Sequence, residues 1–144
     1  MTRFNLIPPE ELSDQHLIAE YHELLRIIRQ DINTKNAPET FCLGKGHVKW
    51  AKKHTRFLAY RFFLLCNEMR FRNFKLNYSY DDLKDFIIET VKPENDNDYY
   101  PSNDDICLSR NRIIDKINLK PDWYRWTKRQ KPDYVLALNV LALN

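Results

Sequence analysis

Glycine is almost absent from the sequence: only two occur among 144 residues, and both lie in the segment FCLGKGHV. Positive φ angles and close backbone approach are therefore least costly at Gly44 and Gly46. The pair predicts either a tight turn ahead of a helix or a loop whose bare backbone lets a phosphate or a base come close. Segments with the alternating pattern of a half-buried strand are scarce as well, so the sequence favours an all-α protein.

Cysteine is also scarce, and the three that occur (Cys42, Cys66 and Cys107) are an odd number. An odd number excludes a fully paired disulfide framework, and no two of these residues have the CxxC spacing of a zinc site. The sequence therefore predicts free thiols in a reducing compartment. We expect no metal site and no cofactor.

Long apolar runs are missing too. No run of about 18 apolar residues is present to span a membrane, and no charged-then-apolar signal peptide opens the chain. We therefore expect no membrane partner and a cytoplasmic or nuclear location. The length predicts one compact domain, which we place at residues 1–131. A C-terminal tail at 132–144, in which the pentapeptide VLALN occurs twice, has no role that the sequence reveals.

The net charge of +3 is modest, but charge is distributed unevenly along the chain. Acidic residues crowd into 81–105, whereas basic residues cluster at 45–75 and 110–131. A polyanion can therefore meet a surface that is far more positive than the net charge indicates. This distribution is compatible with a nucleic-acid partner without requiring one.

Apolar residues that recur at three- and four-residue spacing predict helices in four segments. The first helix should begin at Asp14, behind the N-cap Ser13, and run to about residue 31. The others should cover about 48–71, 80–90 and 103–119, the last of them ended by Pro121. We expect a single compact all-α domain of three main helices with irregular loops and an N-terminal arm packed near the first helix.

The second of these helices is rich in both aromatic and basic residues. Its apolar positions should face the core: Trp50, Phe57, Leu58, Phe62, Leu65 and Met69. Its basic positions should lie largely on other faces: Lys49, Lys52, Lys53, Arg56 and Arg61. In the third main helix, Ile106, Ile113 and Ile117 should face the core, and Arg112 and Lys116, with Lys120 just beyond, should form a basic stripe.

The first helix carries a polar face opposite an apolar stripe centred near Tyr21. At about 100° per residue, five residues fall within an arc of roughly 80°: His16, Ala19, Glu23, Arg26 and Gln30. One interpretation is a solvated surface with an incidental pair between Glu23 and Arg26. The other is a functional face on which a small residue leaves room for a ligand beside Glu23.

The opening stretch MTRFNL favours the second interpretation. A small residue after Met1 permits removal of the methionine, which leaves the α-amine of Thr2 at the chain start. Such an amine has a pKa of about 7.7–8.0 against about 10.4 for lysine, so it is a ready nucleophile at neutral pH. Attack on C1′ of a deoxynucleoside gives an imine, which acidifies the C2′ proton and permits elimination of the 3′ phosphate. One amine and one carboxylate can thus remove a base and nick the strand.

Three segments carry a resemblance to a known family. MTRFNL followed by ELSDQHLIAEYHELLR resembles the start of the pyrimidine-dimer DNA glycosylases, the phage-type endonuclease V family. FCLGKGHVKW resembles the LGxGHV turn of that family, and RIIDKINLKPDWYRW resembles its basic third helix and aromatic C-terminal segment. The resemblance covers roughly residues 1–126. His22 stands where the family often has an arginine, and Leu25 where a proline is common.

The resemblance implies a DNA repair glycosylase with AP lyase activity on ultraviolet-induced cyclobutane pyrimidine dimers. Thr2 would supply the nucleophilic amine and Glu23 the catalytic carboxylate. The partner would be double-stranded DNA that contains dimers or abasic sites, bound by a monomer, with the base opposite the lesion extruded. The DNA-binding positions that the resemblance implies are Arg3, His16, His22, Arg26, Gly44, Gly46, His47, Arg112, Lys116, Lys120, Trp123, Tyr124 and Trp126.

Two other functions remain open from the sequence. The same amine chemistry could serve another lesion or abasic sites only, or the protein could be a non-enzymatic basic helical DNA-binding protein. The aromatic residues Trp123, Tyr124 and Trp126 also have two interpretations. Each could offer a face to DNA or fill the core as part of a C-terminal plug.

Overall fold

The computed structural model describes residues 4–135. This range contains five complete α-helices, two short 3-10 helices at Pro9–Glu11 and Pro93–Asn95, and further helical residues at 133–135. It contains no β-strand beyond one isolated bridge between His54 and Asp96. The α-helices are α1 (Asp14–Arg29), α2 (His47–Lys53), α3 (Thr55–Phe71), α4 (Tyr80–Thr90) and α5 (Asn103–Leu119). The predicted all-α class is confirmed.

Local capping explains why the predicted helix starts were accurate. Ser13 accepts a hydrogen bond from the backbone N–H of His16 at the start of α1. Capping boxes begin α4 and α5, in which a serine and an aspartate three residues later satisfy each other's backbone N–H groups. The bounds 80–90 and 103–119 are those predicted, whereas α1 ends at Arg29, two residues earlier than expected.

The predicted helix over 48–71 is wrong in one respect, because it is broken at His54. This residue has φ −110° and ψ 48°, and it separates α2 from α3. Asn97 satisfies two backbone groups at the break. Its side-chain Nδ2 donates to the Lys53 carbonyl, and its backbone carbonyl accepts from the Phe57 N–H. The break thus depends on the segment 93–98, which is distant in sequence.

The core lies between α1 and α3, with α2, α4 and α5 around them. Tyr21 of α1 stacks on Phe62 of α3 at 5.2 Å between ring centroids. The buried face of α1 includes Glu20 and Ile27, while Ile18 and Leu25 are only half-buried. This face is therefore displaced toward Glu23 relative to the predicted stripe.

The C-terminal part of the described chain belongs to the same core. Tyr124, Trp126 and Val135 are buried in it. The domain boundary at residue 131 stays a prediction. The repeated VLALN tail lies outside the described residues from 136 onward. Across residues 4–135, no helix is both long enough and apolar enough to cross a membrane.

Candidate active site and DNA-binding surface

Glu23 lies at the edge of the buried face of α1, and only 11% of its side-chain surface is exposed. Its carboxylate accepts two hydrogen bonds from the Arg26 guanidinium, at 2.6 Å from Nη2 to Oε1 and 3.3 Å from Nε to Oε2. The hydrogen bond with Glu23 raises the pKa of Arg26, whose side chain is half exposed. A shielded carboxylate therefore sits beside a cation that a phosphate can reach.

The N-terminal arm, residues 1–8, packs into the core from Phe4 onward. The Phe4 ring is fully buried, stacks on Trp50 at 5.5 Å and packs at a tilt against His47 at 4.5 Å between centroids. Farther along the arm, Leu6 donates its N–H to Ser109 Oγ of α5 at 3.0 Å. These contacts hold the arm against α2 and α5. Thr2 and Arg3 lie outside the described residues.

A buried polar network joins the arm to α1 and α3. Glu20 is fully buried and accepts hydrogen bonds from Arg61 Nε at 2.6 Å and Nη2 at 3.0 Å. It also accepts one from Asn5 Nδ2 at 2.8 Å, while Arg61 Nη1 donates to the Ile7 carbonyl. The prediction that Arg61 faces away from the core is therefore wrong. The available signal was an arginine within the apolar run YRFFLL, which needs a buried carboxylate as partner.

His47 lies beneath the arm and is fully buried. Its Nδ1 is 2.7 Å from the Cys42 carbonyl, and its ring packs against Phe4 and Phe41. The resemblance implied a DNA contact at this position. The structure places the side chain in the core, where it holds the turn and supports the arm.

The glycine turn ahead of α2 has the predicted positive φ angles, 77° at Gly44 and 90° at Gly46. A Cβ at Gly46 would lie 2.9 Å from Pro38 Cγ, so a side chain is excluded there on steric grounds as well. A Cβ at Gly44 would meet nothing within 4 Å. Gly46 is thus required by the turn itself, and Gly44 leaves an open backbone surface beside it.

His16 connects α1 with the aromatic segment and with α5. Its ring stacks on Tyr124 at 4.7 Å, and its Nδ1 is 2.8 Å from Ser13 Oγ. Burial, followed by the charges of Arg112 and Lys116, lowers the pKa of His16 from 6.5 to about 4. Neutral His16 therefore lies beside the basic stripe of α5 at physiological pH.

The lowered pKa of His16 predicts a pH-dependent stability. Between pH 6.5 and about 4 the unfolded chain binds a proton here that the folded chain does not, so the free energy of unfolding falls as the pH falls. The separation of about 2.5 pH units corresponds to an upper limit of roughly 3–4 kcal/mol on the change in the free energy of unfolding, and to less where solvent reaches the ring. His16→Gln should flatten this fall in urea unfolding measured from pH 7 to 5. The exposed His22→Gln serves as the control, and an equal slope in wild type and His16→Gln would contradict the assignment.

The aromatic segment divides into one exposed and two buried residues. Trp123 is 56% exposed, with Lys120 Nζ 5.8 Å from its ring centroid. Tyr124 and Trp126 are each only 7% exposed, and Trp126 Nε1 donates to the Glu11 carbonyl. Only Trp123 therefore offers a free aromatic face, while the other two fill the core.

Side chains at the start of α1 hold this segment in place. Gln15 Nε2 donates to the Trp123 carbonyl at 2.7 Å, and the Asp14 carboxylate accepts from the Thr127 hydroxyl at 2.6 Å. Asp14 also binds Arg72, a buried residue at the end of α3. The position of Trp123 is thus set by contacts that the sequence spacing did not indicate.

A second buried ion-pair cluster lies behind Arg72. Glu68 accepts hydrogen bonds from Arg72 Nε at 2.8 Å and from Arg129 Nη2 at 2.7 Å. Burial opposes ionisation of Glu68, but the hydrogen bonds from Arg129 and Arg72 outweigh it and hold its pKa below the usual range. This cluster fastens the C-terminal segment to α3.

The remaining DNA-binding candidates differ in exposure. His22, Lys116 and Lys120 are exposed, and Arg112 is half-buried. Within residues 4–135, no three His, Cys, Asp or Glu side chains are grouped closely enough to hold a metal ion. The described residues thus place the Glu23–Arg26 pair on α1 and a row of basic side chains on α5, which offers phosphates exposed cations on both helices.

A sequence model of the pyrimidine dimer DNA glycosylase family matches residues 1–82, more than half of the chain. The chain belongs to this family, as the resemblance implied. It is therefore an enzyme of DNA repair whose substrate is DNA that contains pyrimidine dimers, which decides against the non-enzymatic alternative. The match includes the arm and α1 to α3, while the basic stripe and the aromatic segment lie beyond it.

Proposed function

We propose that the protein is a bifunctional DNA glycosylase and AP lyase for ultraviolet-induced cyclobutane pyrimidine dimers. The Thr2 α-amine is the nucleophile and Glu23 the catalytic carboxylate. Besides the family membership, one observation carries this proposal. Asn5, three residues after Thr2, is hydrogen bonded to Glu20, which precedes Glu23 by one turn of α1.

The length of the arm allows the amine to reach the carboxylate. At about 3.3–3.6 Å per residue, the three residues from Thr2 to Asn5 can span at most roughly 11 Å. Residues three apart on a helix have Cβ atoms about 5–6 Å apart, so Glu23 lies close to the point where Asn5 is held. A sugar ring between the Thr2 amine and Glu23 fits within these limits.

The proposed reaction proceeds in two stages. The neutral amine forms a bond to C1′ while the glycosidic bond breaks, and the departing base takes the electron pair of that bond and the first of the two amine protons. Loss of the amine proton and opening of the C1′–O4′ bond then give an imine, with the proton on O4′. In the second stage the C2′ proton is removed, and the C3′–O3′ bond breaks with its electron pair on the 3′ phosphate. Water finally hydrolyses the conjugated imine and releases the amine.

Glu23 has two tasks in this scheme. As an anion it stabilises the positive charge that develops on the sugar as the base departs, and it accepts the C2′ proton during elimination. Its limited exposure, 11% of the side chain, strengthens both effects because few water molecules screen its charge. Arg26 holds the carboxylate through two hydrogen bonds and can contact a phosphate with its exposed edge.

DNA binding is assigned to the cations around this centre. Arg26 and Arg3 would lie at the lesion, and Arg112, Lys116 and Lys120 would position the backbone without reading sequence. Exposed Trp123 would stack against an unpaired or distorted base. A dimer distorts the duplex, so recognition by shape with extrusion of the opposite base is consistent with this surface.

Borohydride trapping on a duplex with one thymine dimer tests the proposal. Reduction of the imine should give a covalent protein–DNA adduct, in the presence of a chelator, and peptide mapping should place the sugar on Thr2. A parallel duplex with an abasic site tests the alternative substrate, because trapping there alone would restrict the activity to lyase chemistry. An adduct on a lysine would refute the assignment of the nucleophile.

The salt dependence of binding tests the basic surface. Lys116→Ala combined with Lys120→Ala should lower the slope of log affinity against log salt by about two, because each removes about one phosphate contact. Arg70→Ala combined with Lys75→Ala removes the same charge from exposed positions outside this surface and serves as the control. Fluorescence anisotropy at several salt concentrations provides the slopes. Equal slopes for both double variants would show that α5 does not contact the DNA.

A further inference from the structure

Glu20 and Arg61 form a buried ion pair that the proposed chemistry does not use. The side chains are 0% and 5% exposed, and the guanidinium is joined to both carboxylate oxygens. Each partner has one additional contact, and both lead to the N-terminal arm: Glu20 to Asn5 and Arg61 to the Ile7 carbonyl. The pair therefore joins α1 directly to α3 and holds the arm against both helices.

The arm is held at each described position before its first proline. Phe4 packs against the rings of Trp50 and His47, and Leu6 donates its N–H to Ser109. Asn5 and Ile7 contact the ion pair. Asn5 Oδ1 is buried and accepts no hydrogen bond from any described residue. The described arm from Phe4 to Ile7 is therefore fixed to the core at every residue.

Stability alone does not account for such a pair. The cost of removing two charges from water often equals or exceeds their attraction, so apolar residues of similar volume can replace a buried ion pair with little loss of stability. What apolar residues cannot replace are the directional hydrogen bonds to Asn5 and Ile7. These bonds fix the direction in which the arm leaves the core toward Thr2.

We propose that the Glu20–Arg61 pair positions the N-terminal arm and thereby sets the location of the Thr2 amine relative to C1′. This inference rests on the proposed function, in which that amine is the nucleophile. Glu20 and Arg61 act through the arm and touch no reacting atom, so they are positioning residues. A misplacement of about 1 Å at a reacting centre can lower a rate about 100-fold, which makes the arm sensitive to the loss of these contacts.

The test replaces the pair by apolar residues, Glu20→Leu with Arg61→Met. Circular dichroism should show a folded protein, and the Kd for a duplex with a stable abasic analogue should stay within about threefold of wild type. The single-turnover rate of borohydride trapping on a thymine-dimer duplex, at saturating enzyme, should fall at least fivefold. A smaller fall would overturn the inference, because the arm would then be placed without the pair.

Two further variants separate positioning from stability. Met69→Ala shortens a buried side chain of α3 that lies eight residues after Arg61. It should destabilise the protein without slowing trapping by folded enzyme. An equal slowing in Met69→Ala would overturn the inference. If the double variant fails to fold, Arg61→Lys decides: its ammonium keeps the charge opposite Glu20 but cannot serve Glu20 and the Ile7 carbonyl in the same geometry. Slower trapping with unchanged Kd supports positioning, and a wild-type rate refutes it.

Failure of the inference can be distinguished from failure of the proposed function. If wild-type protein gives no adduct at Thr2, the proposed function fails and the inference fails with it. If wild-type protein is trapped at Thr2 and the variant without the ion pair is trapped equally fast, only the inference fails. The wild-type adduct is therefore mapped first, in the same reaction series.

Discussion

Glu23→Gln should abolish nearly all glycosylase and lyase activity, with a fall in rate of about 10³-fold or more. Acid–base catalysis by a positioned side chain contributes typically 10²–10⁴-fold, and the same carboxylate is also expected to stabilise positive charge on the sugar. The amide has the same shape, and its oxygen can still accept a hydrogen bond from Arg26. Folding should therefore be preserved, while the anion is lost.

DNA binding by Glu23→Gln should be retained or slightly strengthened, since the change removes one negative charge from a surface that faces phosphates. Glu89→Gln, on an exposed carboxylate of α4, provides the control for the same change of charge. Cleavage of a dimer-containing duplex and anisotropy measurements on an abasic-analogue duplex separate catalysis from binding. Cleavage by Glu23→Gln at near the wild-type rate would remove Glu23 from the mechanism.

The helices could be predicted because their signals are local. Ser79 with Asp82 and Ser102 with Asp105 begin α4 and α5, and each pair is readable at a spacing of three residues. The break at His54 was not readable in this way. It depends on Asn97, whose side chain and backbone carbonyl hydrogen bond to backbone groups 44 and 40 residues earlier in the chain.

The candidate site was predictable to a similar extent. Helical spacing brought Glu23 and Arg26 together, and the structure contains that pair. The burial of Glu20 was missed, because a carboxylate enters the core only when a partner such as Arg61 is present, and no periodicity in α1 reveals a partner in α3. For the same reason, helical spacing could not place His47 in the core beneath Phe4.

Exposure also decided between the two interpretations of the aromatic segment. From the sequence alone, each of Trp123, Tyr124 and Trp126 could either contact DNA or fill the core. The hydrogen bond from Trp126 Nε1 to the Glu11 carbonyl and the stacking of Tyr124 on His16 assign these two to the core. A DNA-stacking role is therefore proposed for Trp123 only, and Trp123→Ala is the variant of this segment expected to affect binding without disturbing the core.

Extension of the chain by one residue ahead of Thr2 should lower the single-turnover rate of trapping at least about 100-fold. The mature protein is expected to begin at Thr2, and an added glycine would move the α-amine by up to about 3.5 Å along the chain. Reaction requires the amine within about 3–3.5 Å of C1′, so the shift is as large as the attack distance itself. The anchored stretch from Phe4 to Ile7 cannot compensate, because its positions are fixed by the core.

Thr2→Ser is the matched control for this extension. It keeps both a removable Met1 and an α-amine at the same position, so the rate should stay within a few-fold of wild type, since the threonine hydroxyl is not the nucleophile. Intact mass establishes the first residue of each protein, and single-turnover trapping on the thymine-dimer duplex gives the rates. Full activity in the extended protein, or in protein that retains Met1, would show that the attacking group is not the Thr2 amine. A large loss in Thr2→Ser with Met1 removed would instead assign the hydroxyl a part in the reaction.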